Sequence, residues 1–328
     1  MISRRNLFLL VFGLVILAAF AAVGKASANG GPHGGFTATD DGCAGCHRSH
    51  TASGPGLLIN ANTYQLCITC HGSNVAGANT NVLDGVYTGT STSTEGKTNT
   101  TKGGSLLGGG FITYKGSPTT SSHDMTGAGN KNTAWGHGTA ARGVAAAISD
   151  TTFSCASCHD PHGSTNYRIM KININGYGVG MARPDEGALK DYDTENWLTG
   201  QSSVCRACHY AYHQTAAGQG STVSGGTYTH RVDMPYVYTT ALITQVNPET
   251  VGFGGQKLPL AVSGANSATT NLVVCQTCHL PHGTSATMTG FANGGPTTTG
   301  IQPGNTTATD SALLRLDNRA VCEACHQK

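Results

Sequence analysis

Charge, aromatic side chains and ordinary core-forming residues are all scarce in this chain. Only 11% of its 328 residues are charged and 6% aromatic, with two tryptophans and eight phenylalanines. That is too little large apolar material for a conventional core of this size. A basic excess is missing too, since nineteen Lys and Arg face seventeen Asp and Glu. Without a basic footprint, nucleic acid is excluded as a partner. Beyond the first 28 residues no apolar run reaches the ~20 residues of a membrane helix, so the mature chain is not expected to be an integral membrane protein. Glycine, by contrast, is abundant at forty-six residues. Stretches such as 88–110 and 290–309 read as linker on composition alone.

No cysteine stands outside one repeated pattern. The twelve cysteines form six copies of Cys-x-x-Cys-His: Cys43/Cys46/His47, Cys67/Cys70/His71, Cys155/Cys158/His159, Cys205/Cys208/His209, Cys275/Cys278/His279 and Cys322/Cys325/His326, here motifs 1 to 6. This is the attachment pattern of c-type haem, in which two thiols bind the macrocycle and the adjacent imidazole ligates the iron. A zinc site does not require a histidine directly after each pair. A disulfide framework leaves six histidines unexplained, and a thioredoxin-type pair occurs once, beside a βαβ pattern. Six haems c are therefore expected, one per motif.

Arg4 and Arg5, the apolar run from Leu7 to Val23 and the small residues Ala26, Ser27 and Ala28 read as a secretory signal cleaved before Asn29. A retained anchor is the alternative. Residues 29–328 are expected to form one domain, because the motifs recur along the whole chain at spacings of 24, 88, 50, 70 and 47 residues. The expected fold is mostly coil with short α-helices and very little β, wrapped around a stack of six haems that replaces the missing core. Residues 139–148 read as a helix and Val237 to Val246 as a weak strand. Asp310 to Cys325 reads as the longest helix, capped by Asp310 or Ser311 and striped by Leu313, Leu314, Leu316, Ala320 and Val321.

Fourteen histidines are present, and six are the proximal ligands of the motifs. The other eight are His33, His50, His123, His137, His162, His213, His230 and His282. Four of these trail a motif by three or four residues: His50, His162, His213 and His282. Side chains so spaced on one turn have Cβ atoms about 5–6 Å apart, too close to clasp one iron from both faces. Each is expected to reach a neighbouring haem, with Pro161 and Pro281 fixing the direction of the next histidine. The distal ligands are expected to be His50, His123, His162, His213, His230 and His282, with His33 and His137 as further candidates. Methionine is a rival axial ligand, but histidine is in surplus, and bis-His ligation implies low potentials.

With its order of motifs, its trailing histidines, its terminal Cys322/Cys325/His326 site and its Pro32-His33-Gly34-Gly35 start, the chain resembles the outer-surface hexahaem cytochromes of metal-reducing bacteria that polymerise into nanowires, the OmcS type. The match covers the motif skeleton, and the loops between are shorter here. The resemblance implies bis-His haems in a continuous stack, copies of the chain itself as partners in a filament, and His50 ligating the His279 haem of a neighbouring molecule. It also implies secretion to the cell surface and electron exchange with other multihaem cytochromes and extracellular acceptors. An electron-transfer protein without catalytic residues is expected. A monomeric periplasmic shuttle and a multihaem reductase with one open iron remain the alternatives.

Overall fold

The computed structural model describes residues 33, 41–73, 78–87, 105–126, 153–182, 197–209, 230–236, 258–262, 270–288, 311–318 and 320–326, with short strands at 222–223, 227–228, 296–297 and 300–301. The leader 1–28, the helix expected over 139–148, the strand expected over 237–246, and His137 and His213 lie outside the described residues. Among the described residues no helix is long and apolar enough to cross a membrane.

Among the described residues regular structure is sparse and short. Helical turns coincide with all six motifs: Asp41–Ala44, Thr63–His71, Cys155–Cys158, Gln201–Arg206, Cys275–Cys278 and Ala320–Glu323. The longest runs nine residues, and Asn62 caps it by accepting from the Gln65 amide. Asp310 to Cys325 is not the long helix that its apolar spacing suggests. Only Ala320–Glu323 is helical there, because Ala312, Leu313 and Asn318 take left-handed φ of 50°, 62° and 51°. Consecutive left-handed residues cannot continue a right-handed helix, and the carbonyl of Ala312 has another use described below.

Strands are two residues long and mostly pair as hairpins, such as Asn173–Ile174 with Tyr177–Gly178. The largest sheet has four, in the spatial order Met234–Pro235, Leu272–Val273, Ala261–Val262 and Trp197–Leu198. Gly283–Thr284 pairs with Ser121–Ser122 and so ties the segment after motif 5 to a loop that precedes motif 3.

Apolar packing is divided into small clusters that adjoin the motifs. One joins Tyr167, Met170, Ile174, Val179 and Met181 to Val274, against Cys158 and Cys208. A second places Leu258, Val321 and Ala324 against Cys278 and Cys325. Backbone polar groups between the clusters are satisfied by buried side chains. Asn166 is the clearest case. It is 5% exposed, its amide donates to the carbonyls of Lys171 and Val179 at 3.1 and 3.0 Å, and its oxygen accepts from the Met181 amide at 2.9 Å. Asn166→Ala strands three buried backbone groups and is expected to lower stability by about 2–4 kcal/mol, read as a drop in the denaturant midpoint of the holoprotein at unchanged slope.

Candidate haem-binding sites

The cysteines of successive motifs approach one another. Within the pairs 1–2, 3–4 and 5–6, Cys46 lies near both Cys67 and Cys70, Cys158 near Cys208, and Cys278 near Cys325 and Cys322. First cysteines meet between those pairs, Cys67 within hydrogen-bonding reach of Cys155 and Cys205 of Cys275. The helices carrying them pack together at both junctions, Thr63–His71 on Cys155–Cys158 and Gln201–Arg206 on Cys275–Cys278. Six attachment points therefore follow one another in space in the order of the sequence. Burial, with the neighbouring thiols, pushes Cys158 and Cys278 up to about 12, so these thiols pack as neutral groups.

Five histidine pairs face one another at nearly one separation. Ring centroids are 6.2 Å apart for His47 and His162, 6.2 Å for His71 and His33, 6.4 Å for His159 and His282, 6.2 Å for His209 and His123, and 6.2 Å for His326 and His230. Two imidazole nitrogens each about 2 Å from one metal, with a ring centre about 1.1 Å behind each nitrogen, put the centroids about 6.2 Å apart. The donor set thus fits an iron between each pair. A direct contact between stacked rings, such as Phe111 on His282 at 4.6 Å, is far shorter. Every pair joins one motif histidine to one histidine from elsewhere in the chain.

The second ring nitrogen is held as a metal ligand requires. Nδ1 of His47, His159 and His279 each lies 2.8 Å from a backbone carbonyl, of Gly56, Arg168 and Ala312 respectively. An N–H donated there leaves Nε2 as the free donor. The three cradles share a build. Each acceptor and the residue after it take left-handed φ: Gly56 and Leu57 at 68° and 61°, Arg168 and Ile169 at 53° and 50°, Ala312 and Leu313 at 50° and 62°. The next residue bridges back to the histidine, pairing Leu58 with His47, Met170 with His159 and Leu314 with His279. Left-handed non-glycine residues cost about 1–2 kcal/mol apiece, so the surrounding contacts must hold these turns in place. At motif 2, His71 Nδ1 meets the carbonyl and hydroxyl of Thr80 instead, at 3.1 and 2.8 Å.

Two of the three histidines opposite the even motifs are oriented from the next odd motif. His33 Nδ1 lies 3.0 Å from the Pro161 carbonyl and His123 Nδ1 2.6 Å from the Pro281 carbonyl. His230 Nδ1 meets the carbonyl of Arg231 at 2.8 Å. Burial holds His71, His123, His159 and His279 below the ordinary imidazole range and takes His282 to about 3. All are therefore neutral and able to coordinate.

The trailing histidines of motifs 3 and 5 do not face their own motifs. His162 stands opposite His47 of motif 1, and His282 opposite His159 of motif 3. His282 gets there because Gly108 and Gly109 let the chain pass. A Cβ on Gly108 would sit 3.2 Å from His282 Nδ1, and one on Gly109 (φ 85°) 2.0 Å from the Gly283 carbonyl. Of the expected ligands, His123, His162, His230 and His282 are each opposed to a motif histidine, and so is His33, a reserve candidate in the sequence. His50 is exposed. Among the described residues neither His50 nor His279 faces a histidine at this separation. The carbonyls of Gly56, Arg168 and Ala312 have no side-chain signature; their trace in the sequence is the recurring apolar pair Leu57-Leu58, Ile169-Met170 and Leu313-Leu314.

Residues 33–76, which hold His33 and motifs 1 and 2, match the family described as the doubled CXXCH motif. No curated protein and no solved structure matches the chain. The family match supports a multihaem c-type cytochrome that binds its haem covalently through paired Cys-x-x-Cys-His motifs.

Proposed function

We propose that the chain is a secreted electron-transfer cytochrome that carries six haems c and polymerises head to tail at the cell surface. The haems supply one-electron transfer, while the chain's residues order them and fill both axial positions. The observation that carries this reading is the set of five opposed histidine pairs at 6.2–6.4 Å. In it His162, His33, His282, His123 and His230 are the distal ligands of sites 1, 2, 3, 4 and 6. Irons saturated by two imidazoles suit electron transfer and leave no position for a substrate.

Polymerisation is supported by two regularities among the six motifs, each of which calls for a further site. The trailing histidine of motif 3 serves site 1, and that of motif 5 serves site 3. By the same rule His50, trailing motif 1, serves the site two places before the first. The six motifs include no such site, whereas a preceding copy offers its fifth, where His279 faces no histidine among the described residues. The contacts between first cysteines extend likewise. First cysteines meet at each junction between pairs, and the next such meeting is Cys322 with Cys43 of the following copy. Both are exposed. Other multihaem cytochromes and extracellular electron acceptors are the partners that this architecture serves.

The His279 site also favours a second reading, in which its iron keeps an open position and reduces a small molecule. Carbon monoxide added to the reduced, secreted holoprotein separates the two, since binding at one haem supports the reductase and silence the carrier. Electron microscopy of the same material is expected to show filaments; discrete particles alone overturn the polymer. Ring orientation offers a further check. The planes of His47 and His162 lie 12° apart, whereas the other four pairs lie at 53–62°. Parallel imidazoles split the iron d levels more than crossed ones do. Electron paramagnetic resonance of the oxidised protein is expected to show one rhombic low-spin centre, lost in His162→Ala, beside at least four of high anisotropy.

A further inference from the structure

Motifs 3 and 5 supply equivalent side chains, His162 and His282, to sites two places back, but into opposite surroundings. The His162 side chain is 75% exposed, and its Nδ1 lies 3.7 Å from the carboxylate of Asp160. His282 Nδ1 is buried with no hydrogen-bond partner. The Gly109 carbonyl pulls on that ring but falls short of hydrogen-bond geometry, and the Phe111 ring covers one face. No described acceptor makes this ring a stronger donor.

The cradles differ in charge at matching positions. Gly56-Leu57-Leu58-Ile59 at site 1 carries no cation, whereas Arg168-Ile169-Met170-Lys171 at site 3 carries two. The Arg168 guanidinium lies close enough to His159 and His282 to disfavour positive charge on both rings. It is fixed there by its place over the Tyr167 ring, 4.9 Å from the centroid. The Lys171 ammonium acts on Cys158 of the same motif.

These contrasts bear on the ferric state, which carries one more positive charge than the ferrous. An acceptor at Nδ1 makes imidazole a stronger donor and favours ferric iron. Nearby cations and an apolar, buried setting oppose it. Exposure and the Asp160 carboxylate beside His162 favour the ferric state at site 1, against Arg48, which follows His47 and donates back to the Ala44 carbonyl. At site 3 Asp160 follows His159, but burial, Arg168 and the unpartnered His282 ring disfavour it.

We infer that Arg168, Lys171 and the unpartnered His282 poise site 3 at a higher reduction potential than site 1, so that of these two sites it is site 3 that holds an arriving electron. The exchange is of one electron, given up by one site and gained by the other. This rests on the axial pairing proposed above.

Redox titration of the intact holoprotein, with haem methyl resonances assigned to each site by NMR, tests it. Site 3 is expected to be reduced before site 1. Arg168→Gln, which keeps the backbone carbonyl that His159 needs, is expected to lower the site 3 potential and leave site 1 in place. Arg168→Lys is expected to retain most of the wild-type value. Should Arg168→Gln not yield holoprotein, Lys171→Gln is expected to shift site 3 in the same direction. A site 3 potential at or below that of site 1, or one unmoved by removal of either cation, overturns the inference. If site 3 lacks the spectrum of two histidine ligands, the axial pairing falls and the inference with it. If that spectrum is present and only the order is reversed, the axial pairing stands alone.

Discussion

His50→Ala is expected to abolish filaments while leaving a protein that still carries six covalent haems. His50 trails motif 1 and faces no histidine among the described residues of its own chain, so its loss costs no ligand inside the molecule. Between molecules it removes an iron–nitrogen bond at every junction. Even the outer-shell partners of a metal ligand are worth about 10–100-fold in affinity, so loss of the ligand itself is expected to weaken association by more than about a hundredfold. Two measurements check this. Electron microscopy should show single particles, and carbon monoxide should bind one haem in the reduced variant where it binds none in the wild-type filament. Filaments that persist with unchanged spectra would show that His50 is not the link. Single particles without carbon monoxide binding would mean that His279 is capped from within the chain.

Synthesis without covalent haem attachment is expected to give a chain with no cooperative fold. The apolar clusters are small, and two of them pack against attachment cysteines rather than closing on themselves. Domains are stable by only about 5–15 kcal/mol, and binding energy at an obligatory metal centre is folding energy. Removing six large apolar bodies and their axial bonds exceeds that margin. The non-exported apoprotein should show no calorimetric transition, unprotected amides and rapid proteolysis. A native-like transition in the apoprotein would falsify the view that haem replaces the core.

Cofactor type and the irregular, helix-poor character of the fold were legible from residue types and spacing. Cys-x-x-Cys-His is a local pattern, and low aromatic and charged content follows directly from composition. The axial partners were less so. Spacing excludes His162 and His282 from their own sites, but only the folded loops place them opposite His47 and His159. His33 had nothing beside it in sequence to recommend it over His137, and its position opposite His71 depends on a contact with Pro161, 128 residues away. The stretch from Asp310 misleads for a physical reason. Its leucines have helical spacing, yet the demand of His279 Nδ1 for a carbonyl forces Ala312 and Leu313 left-handed. Beyond the apolar pair that follows them, backbone acceptors leave no mark in residue identity, so a tertiary hydrogen bond overrides propensity.

The prolines of motifs 3 and 5 bear on the order in which the protein is made. In the proposed exported cytochrome site 1 takes His162 and site 2 the Pro161 carbonyl, so neither would be complete until motif 3 follows them out of the membrane. Site 3 in turn waits for His282, and site 4 for Pro281. A chain crossing from its N-terminus therefore matures in arrears, each new odd motif closing the two sites behind it. The last debt is owed at site 5, and in the proposed filament only the arrival of another molecule settles it.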